Sequence, residues 1–206
     1  MTVALCSPRP AGCRLISLVL AVLCGPLWAA NSATVPTHPV PANAVVDIYF
    51  SPGANTEQVI AGAILGAKKR VWRAGYYFTS APIAKALHEA HKTGKDVRIV
   101  LDRSQATARY SSATYFQNSG VPVVINARYP IMHHKFVVID GDTVGLGSMN
   151  FTKAGSAANA ENFNLFRRWP ELADTYAAEF PRLQREAVRY QPGMVLPEPA
   201  GKGEAE

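Results

Sequence analysis

A chain of 206 residues with 48% apolar content and a formal charge of +6 is long enough for one domain with a proper core and too apolar for a disordered protein. The basic excess suits a polyanion or an anionic surface, although ordinary solubility uses such a charge as well. Three cysteines in the whole chain exclude a disulfide-dense scaffold.

Residues 1–32 stand apart from the rest. Arg9 and Arg14 precede an apolar run from Leu15 to Leu27, and small residues follow at Ala29, Ala30, Ser32 and Ala33. This is the layout of a secretory signal peptide, with a run shorter than the roughly 20 residues of a transmembrane helix. Cleavage is expected between Ala30 and Thr34, with an uncleaved anchor as the alternative. Cys6, Cys13 and Cys24 all lie in this leader, so the mature chain is expected to hold no thiol and no cysteine metal site. A periplasmic or secreted bacterial protein is the expectation, with no stable membrane anchor once the leader is removed.

The stretch 33–44 carries three prolines and no apolar periodicity, which marks a linker. From Val45 strands and helices alternate. Val45 to Phe50 reads as a strand and Thr56 to Ala67 as a helix. Val71 to Phe78 reads as a strand, and Thr79 or Ser80 caps a helix with Pro82 in its first turn, which runs to near Gly94. Asp96 to Leu101 reads as a strand, Ser111 to Ser119 as a short helix, and Val121 to Ile125 as a strand with Pro122 at its start. Met132 to Ile139 and Thr143 to Leu146 form a hairpin around Asp140-Gly141-Asp142. Glu161 to Arg167 alternates as a half-buried strand, and Pro170 to about Tyr190 is a long amphipathic helix. Residues 191–206 form a polar tail expected to be disordered. The alternation predicts one α/β domain over 45–190, with a mixed, mostly parallel β-sheet sandwiched between helices.

Candidate chemistry concentrates between Met132 and Asn150. His133, Lys135, Asp140, Gly147, Ser148 and Asn150 form the pattern H-x-K, four residues, D, six residues, G-S-x-N. On a strand His133 and Lys135 share one face while His134 and Phe136 take the other. A histidine beside a fixed ammonium is held toward the neutral form that attack on phosphorus needs, and Lys135 can hold the non-bridging phosphate oxygens. Gly147 to Asn150 follows a strand and can present N–H groups and the Asn150 amide to an anion. Glu161 is placed to take a hydrogen bond from the other ring nitrogen of His133. Asp140 sits at the hairpin turn, about 16 Å of strand from Lys135, and is expected to organise the turn. Ser148 is expected to contact phosphate or the Glu161 carboxylate.

Either half of this pattern alone is weak, since H-x-K is commonly a surface pair and G-S-x-N a turn. Both halves at this spacing, followed by Glu161, resemble the signature of the phospholipase D superfamily. The resemblance implies the phospholipase D-like fold and a two-step phosphodiesterase without metal or other cofactor. One histidine forms a phosphohistidine and a second protonates the leaving group. With a single motif, the chain resembles the small bacterial endonuclease branch, whose active site forms across a homodimer. His133 of one subunit is then nucleophile and His133 of the other general acid, with Lys135 and Asn150 of both clamping the phosphate and Glu161 supporting the histidine.

The substrate implied is DNA, with RNA left open. Arg103, Arg109, Arg128 and Lys153, with Tyr110 and Tyr129, are expected in loops near the strand ends, where such sheets bind ligands. Three other readings compete: a phospholipid hydrolase with the same chemistry, a non-catalytic nucleic-acid-binding module, and a metal nuclease using His133, His134 and Asp140, which strand alternation disfavours. His88 and His91, three apart on a helix, have no nearby cysteine and only Glu89 adjacent, and read as a solvated face.

Overall fold

Strand β1 (Val45–Ser51) alternates half-buried and exposed residues along its length, the pattern of a strand with only one covered face. In the computed structural model, which describes residues 37–199, it forms one edge of an eight-stranded sheet. The expected signal peptide, 1–32, lies outside the described residues, as do the start of the linker and the end of the tail.

Along the chain, β1 leads to α1 (Thr56–Leu65), β2 (Arg70–Gly75), α2 (Ala81–Lys92) and β3 (Asp96–Asp102). A 3₁₀ turn at Arg103–Ala106 precedes α3 (Ala113–Asn118) and β4 (Val123–Asn126). Then come β5 (Lys135–Ile139), β6 (Thr143–Gly147), α4 (Lys153–Ala157), β7 (Glu161–Arg167), α5 (Pro170–Arg185) and β8 (Ala187–Arg189). Ser80 rather than Thr79 caps α2, its Oγ accepting the Ile83 N–H at 3.3 Å.

The strand order is β1-β7-β6-β5-β2-β3-β4-β8. Only β2–β3 and β3–β4 are parallel; the other neighbours are antiparallel. The expected mixed sheet is present, but it is mostly antiparallel. The error traces to β1: a strand-helix-strand pattern suggests neighbouring parallel strands, yet β1 crosses to the far edge and pairs with β7, leaving β2 beside β5. The end of the chain needs a second correction. The long helix stops at Arg185, where the buried Asn126 side chain donates to the Leu183 carbonyl at 3.0 Å, and Ala187–Arg189 turns into β8 against the open edge of β4.

Two apolar layers sandwich the sheet. On one face α1, α2 and α3 bury Ile60, Ile64, Ile83, Leu87 and Phe116 against Val71, Ile99, Val137 and Phe163. On the other, α5 buries Ala173, Phe180 and Leu183 against Ala74, Val100, Phe136 and Val138. The tail does not leave the domain at once: Met194 and Leu196 are partly buried against the first cluster.

Because β5 and β7 run against β2 and β6, three loops and three strand ends meet at one end of the sheet. These are the loops after β2, β3 and β4, the start of β5, the end of β6 and the start of β7. The sequence motif lies at that end.

Candidate active site

His133 lies just before β5, which starts at Lys135 rather than at Met132. The lead-in is nonetheless fixed: the Met132 N–H donates to Asp102 Oδ2 at 2.7 Å, and the Tyr76 N–H donates to the His134 carbonyl at 3.1 Å. Alternation therefore persists through the segment. Lys135 Nζ is 3.1 Å from His133 Nε2 and donates at 3.1 Å to the His133 carbonyl. His134 points the other way, with its Nε2 3.5 Å from Glu179 of α5 and its ring 5.6 Å from Phe136. Burial against α5 pushes the His134 pKa down, outweighing the nearby Glu179.

The exposed His133 ring packs edge-on against Tyr76, centroids 4.8 Å apart, and Lys135 Nζ stands 5.7 Å above the same Tyr76 ring. An ammonium facing Nε2 leaves that nitrogen as acceptor, so its lone pair lies on the side where Lys135 would hold an anion. Burial lowers the Lys135 pKa first, the Arg73 guanidinium lowers it further, and Glu161 works in the opposite direction.

The second half of the motif is organised around Ser148. Its Oγ donates to Glu161 Oε2 at 2.5 Å and accepts the Asn162 N–H at 3.0 Å, and its own N–H donates to Asn162 Oδ1 at 3.1 Å. Asn159 donates to the other Glu161 oxygen at 3.2 Å. Gly147 is required by packing, since a Cβ there would run into the Asn162 carbonyl. Asn150 is half-buried and its Oδ1 is buried without a hydrogen-bond partner. Glu161 thus joins the site through Ser148 and through the field at Lys135, not through the expected hydrogen bond to His133.

Asp140 is at the opposite end of β5. Its carboxylate accepts the N–H groups of Lys68, Lys69 and Arg70 at 2.7 to 3.1 Å, and its carbonyl accepts Arg70 Nε at 2.5 Å. Burial works to raise its pKa, but the backbone donors from Lys68, Lys69 and Arg70 outweigh it and the pKa is lowered. Its backbone is left-handed, φ 55°. It organises the turn and the α1–β2 loop.

The basic residues have different surroundings, and Arg103 and Arg128 line separate cavities. Arg103 lines an open cleft of about 500 Å³ with Tyr76, Asp102, Ser104, Thr107 and Ile131, and the Tyr76 of that lining packs against His133. Exposed Lys153 begins α4 three residues after Asn150. Arg109 stacks on the exposed Tyr110. Arg128 lines a different cavity, with Glu186 and Val188, and Tyr129 is tied to Arg182 and Glu186. His88 Nδ1 is hydrogen-bonded to Tyr115 at 3.0 Å. Among the described residues no group of three or more His, Cys, Asp and Glu is arranged to hold a metal.

Sequence reasoning missed Tyr76 and Asp102. The Tyr76-Tyr77 pair directly after a buried strand, and the acid closing Asp96–Asp102, were the available signals.

The family of the "Cardiolipin synthase, PLD-like domain" matches residues 60–184. A phospholipase D of Rickettsia conorii is 35% identical over 131 residues, which are 64% of this chain and 65% of that protein. A mitochondrial cardiolipin hydrolase of Xenopus laevis is 32% identical over 123 residues, 60% of this chain and 58% of that protein. The chain thus spans somewhat less than two thirds of these relatives. Among solved structures, the phospholipase D family member Nuc from Salmonella typhimurium superposes with a TM-score of 0.69 at 35% identity, over 72% of this chain and 99% of that one. NucT from Helicobacter pylori, at 21% identity and a TM-score of 0.65, shares the fold over 71% of this chain and 99% of its own. With the domain matched over most of its length and the H-x-K and G-S-x-N halves brought to one end of the sheet, this chain belongs to the phospholipase D-like domain family.

Proposed function

We propose that this protein is an exported phosphodiesterase that hydrolyses nucleic-acid phosphodiester bonds, without metal, through a phosphohistidine on His133. The observation that carries the reading is the 3.1 Å pair of His133 Nε2 and Lys135 Nζ beside Tyr76, whose side chain also lines an open cleft. Nε2 attacks phosphorus as the bond to the leaving oxygen breaks, and Lys135 and the Asn150 amide hold the phosphate oxygens. Water then cleaves the P–N bond and frees His133.

The leaving oxygen needs a proton in the first step, and a single histidine cannot supply it while acting as nucleophile. A second copy of the chain would place its own His133 as the acid, in a homodimer with a shared site. Support for a docking face comes from β1. Val46, Ile48 and Phe50 are 42%, 60% and 66% exposed on one side of an edge strand, where proteins ordinarily place charge.

Nucleic acid is favoured by the basic charge and by an open cleft walled by Tyr76 and Arg103, an aromatic and a cation suited to bases and backbone. Among the described residues no helix is long and apolar enough to cross a membrane. The second reading, a phospholipid hydrolase, is favoured by relatives named phospholipase D and mitochondrial cardiolipin hydrolase.

Nicking of supercoiled plasmid in EDTA, run beside phosphatidylcholine and cardiolipin vesicles with wild type and His133→Ala, tests both. Plasmid nicking that persists in EDTA and vanishes in His133→Ala is expected. Lipid cleavage with intact plasmid would replace the first reading with the second, and no cleavage of either would leave a binding module.

A further inference from the structure

Arg73 occupies a place in the sheet where a cation is costly. It is fully buried in the middle of β2, and Nε, Nη1 and Nη2 all lack a hydrogen-bond partner. An unpartnered buried charge is tolerated only if something offsets it. Part of the offset is aromatic: the guanidinium lies 4.0 Å from the Phe151 ring centroid and 5.3 Å from that of Phe78.

Its position is equally specific. Arg73 and Gly75 point to the same face of β2, and a Cβ built on Gly75 would coincide with the guanidinium. Gly75 is the direct cross-strand partner of Lys135. The glycine therefore makes room for a cation immediately behind the residue that would hold phosphate. Phe151, which covers the guanidinium, follows Asn150, whose buried Oδ1 is also unpartnered.

We propose that Arg73 is a positioning residue of the phosphate site: a buried cation behind the Gly75–Lys135 pair whose charge is offset when a phosphate anion binds in front of it. This rests on the phosphodiesterase reading of the site. Burial pushes the Arg73 pKa down to about 9, which leaves it charged at neutral pH. Its field also bears on Lys135, whose surroundings are Arg73 behind, Glu161 from β7, and His133 and Tyr76 in front. The device trades stability of the free protein for affinity toward an anion.

The test uses inorganic phosphate as probe, with binding followed by calorimetry and melting temperature measured with and without phosphate. Arg73→Met fills the site without charge. Expected are an unchanged or raised melting temperature without phosphate and phosphate binding about a hundredfold weaker, as for loss of a unit charge roughly 6 Å away at an effective dielectric near 20. The pH at which phosphate binding is lost on the alkaline side should rise, because Lys135 no longer faces a second cation. A lowered melting temperature with unchanged affinity and alkaline limb would overturn the proposal and make Arg73 structural. Arg73→Gln serves if the methionine variant does not fold, and failure of both neutral variants to fold overturns it too. Lys135→Ala separates the two readings. If phosphate binds wild type and is lost in Lys135→Ala while Arg73→Met binds normally, only the role of Arg73 falls. If wild type binds no phosphate, the phosphate site itself falls.

Discussion

The Ser148 hydroxyl joins the end of β6 to the start of β7, donating to Glu161 at 2.5 Å while accepting the Asn162 N–H at 3.0 Å. One side chain thereby fixes a carboxylate whose charge favours the protonated form of Lys135. Ser148→Ala should free that carboxylate without removing it. The expected result is a fall in kcat/KM of about three- to tenfold, in line with loss of one hydrogen bond worth about 1 kcal/mol net. Glu161→Gln should cost more, and steady-state kinetics of both variants on a single oligonucleotide substrate checks the order.

On the proposed mechanism Lys135 sets the alkaline side of the pH profile. Its pKa is lowered by burial and then by Arg73, and phosphate binding needs the ammonium. Activity should therefore begin to fall at a pH below the ordinary lysine value of 10.5. In Glu161→Gln the limb should move lower still, because the one nearby charge that raises the lysine pKa is gone. A pH series of kcat/KM reads both, and a limb that stays put in Glu161→Gln would separate Glu161 from Lys135.

Asp140 completes the motif yet serves the fold. Its folded pKa is depressed, so its contribution is fully present above the unfolded value near 3.8 and is lost as pH falls through the lower folded value. Asp140→Asn should lower stability by about 1–2 kcal/mol, allowing for solvent screening at a partly exposed site. A melting temperature lower by roughly 2–8 °C follows for a domain of this size. kcat well below the melting temperature should be unchanged, and the stability difference between wild type and variant should shrink below pH 3.8. A large loss of kcat at intact fold would return Asp140 to the site.

The pairing of His133 with Lys135 and the separation of His134 were legible because side-chain alternation is a local property, and it survives even though β5 proper starts three residues after Met132. The span of β7 was legible for the same reason. Strand order was not, because β1 is placed by which edge of the sheet can accept it, a relation between residues more than a hundred positions apart. β8 was hidden because a short strand following a helix leaves no break in the apolar spacing, and only the buried Asn126 cap on the Leu183 carbonyl reveals the stop. Arg73 was hidden inside Val-Trp-Arg-Ala-Gly, where an arginine reads as a surface position. Its burial depends on Gly75 and on Phe151, far along the chain.

The β1 edge tests the shared site. Phe50 pairs with Asn162, one position from Glu161, while Ile48 pairs with Asn164, so the exposed apolar side of β1 runs up to the end of the sheet that carries the site. A glutamate there leaves the opposite, core-facing side of the strand untouched, so Phe50→Glu and Ile48→Glu should fold with melting temperatures close to wild type. In a dimer buried over this face the same charge would be desolvated without a partner, which is strongly unfavourable. Sedimentation should find wild type dimeric and the variants monomeric, with nicking activity reduced by about a hundredfold or more, as for loss of a general acid. Dilution of the wild type through its dissociation constant should lower specific activity in parallel. A fully active monomer, in either variant or at high dilution, would refute a site divided between two copies and require the leaving-group proton to come from within one chain.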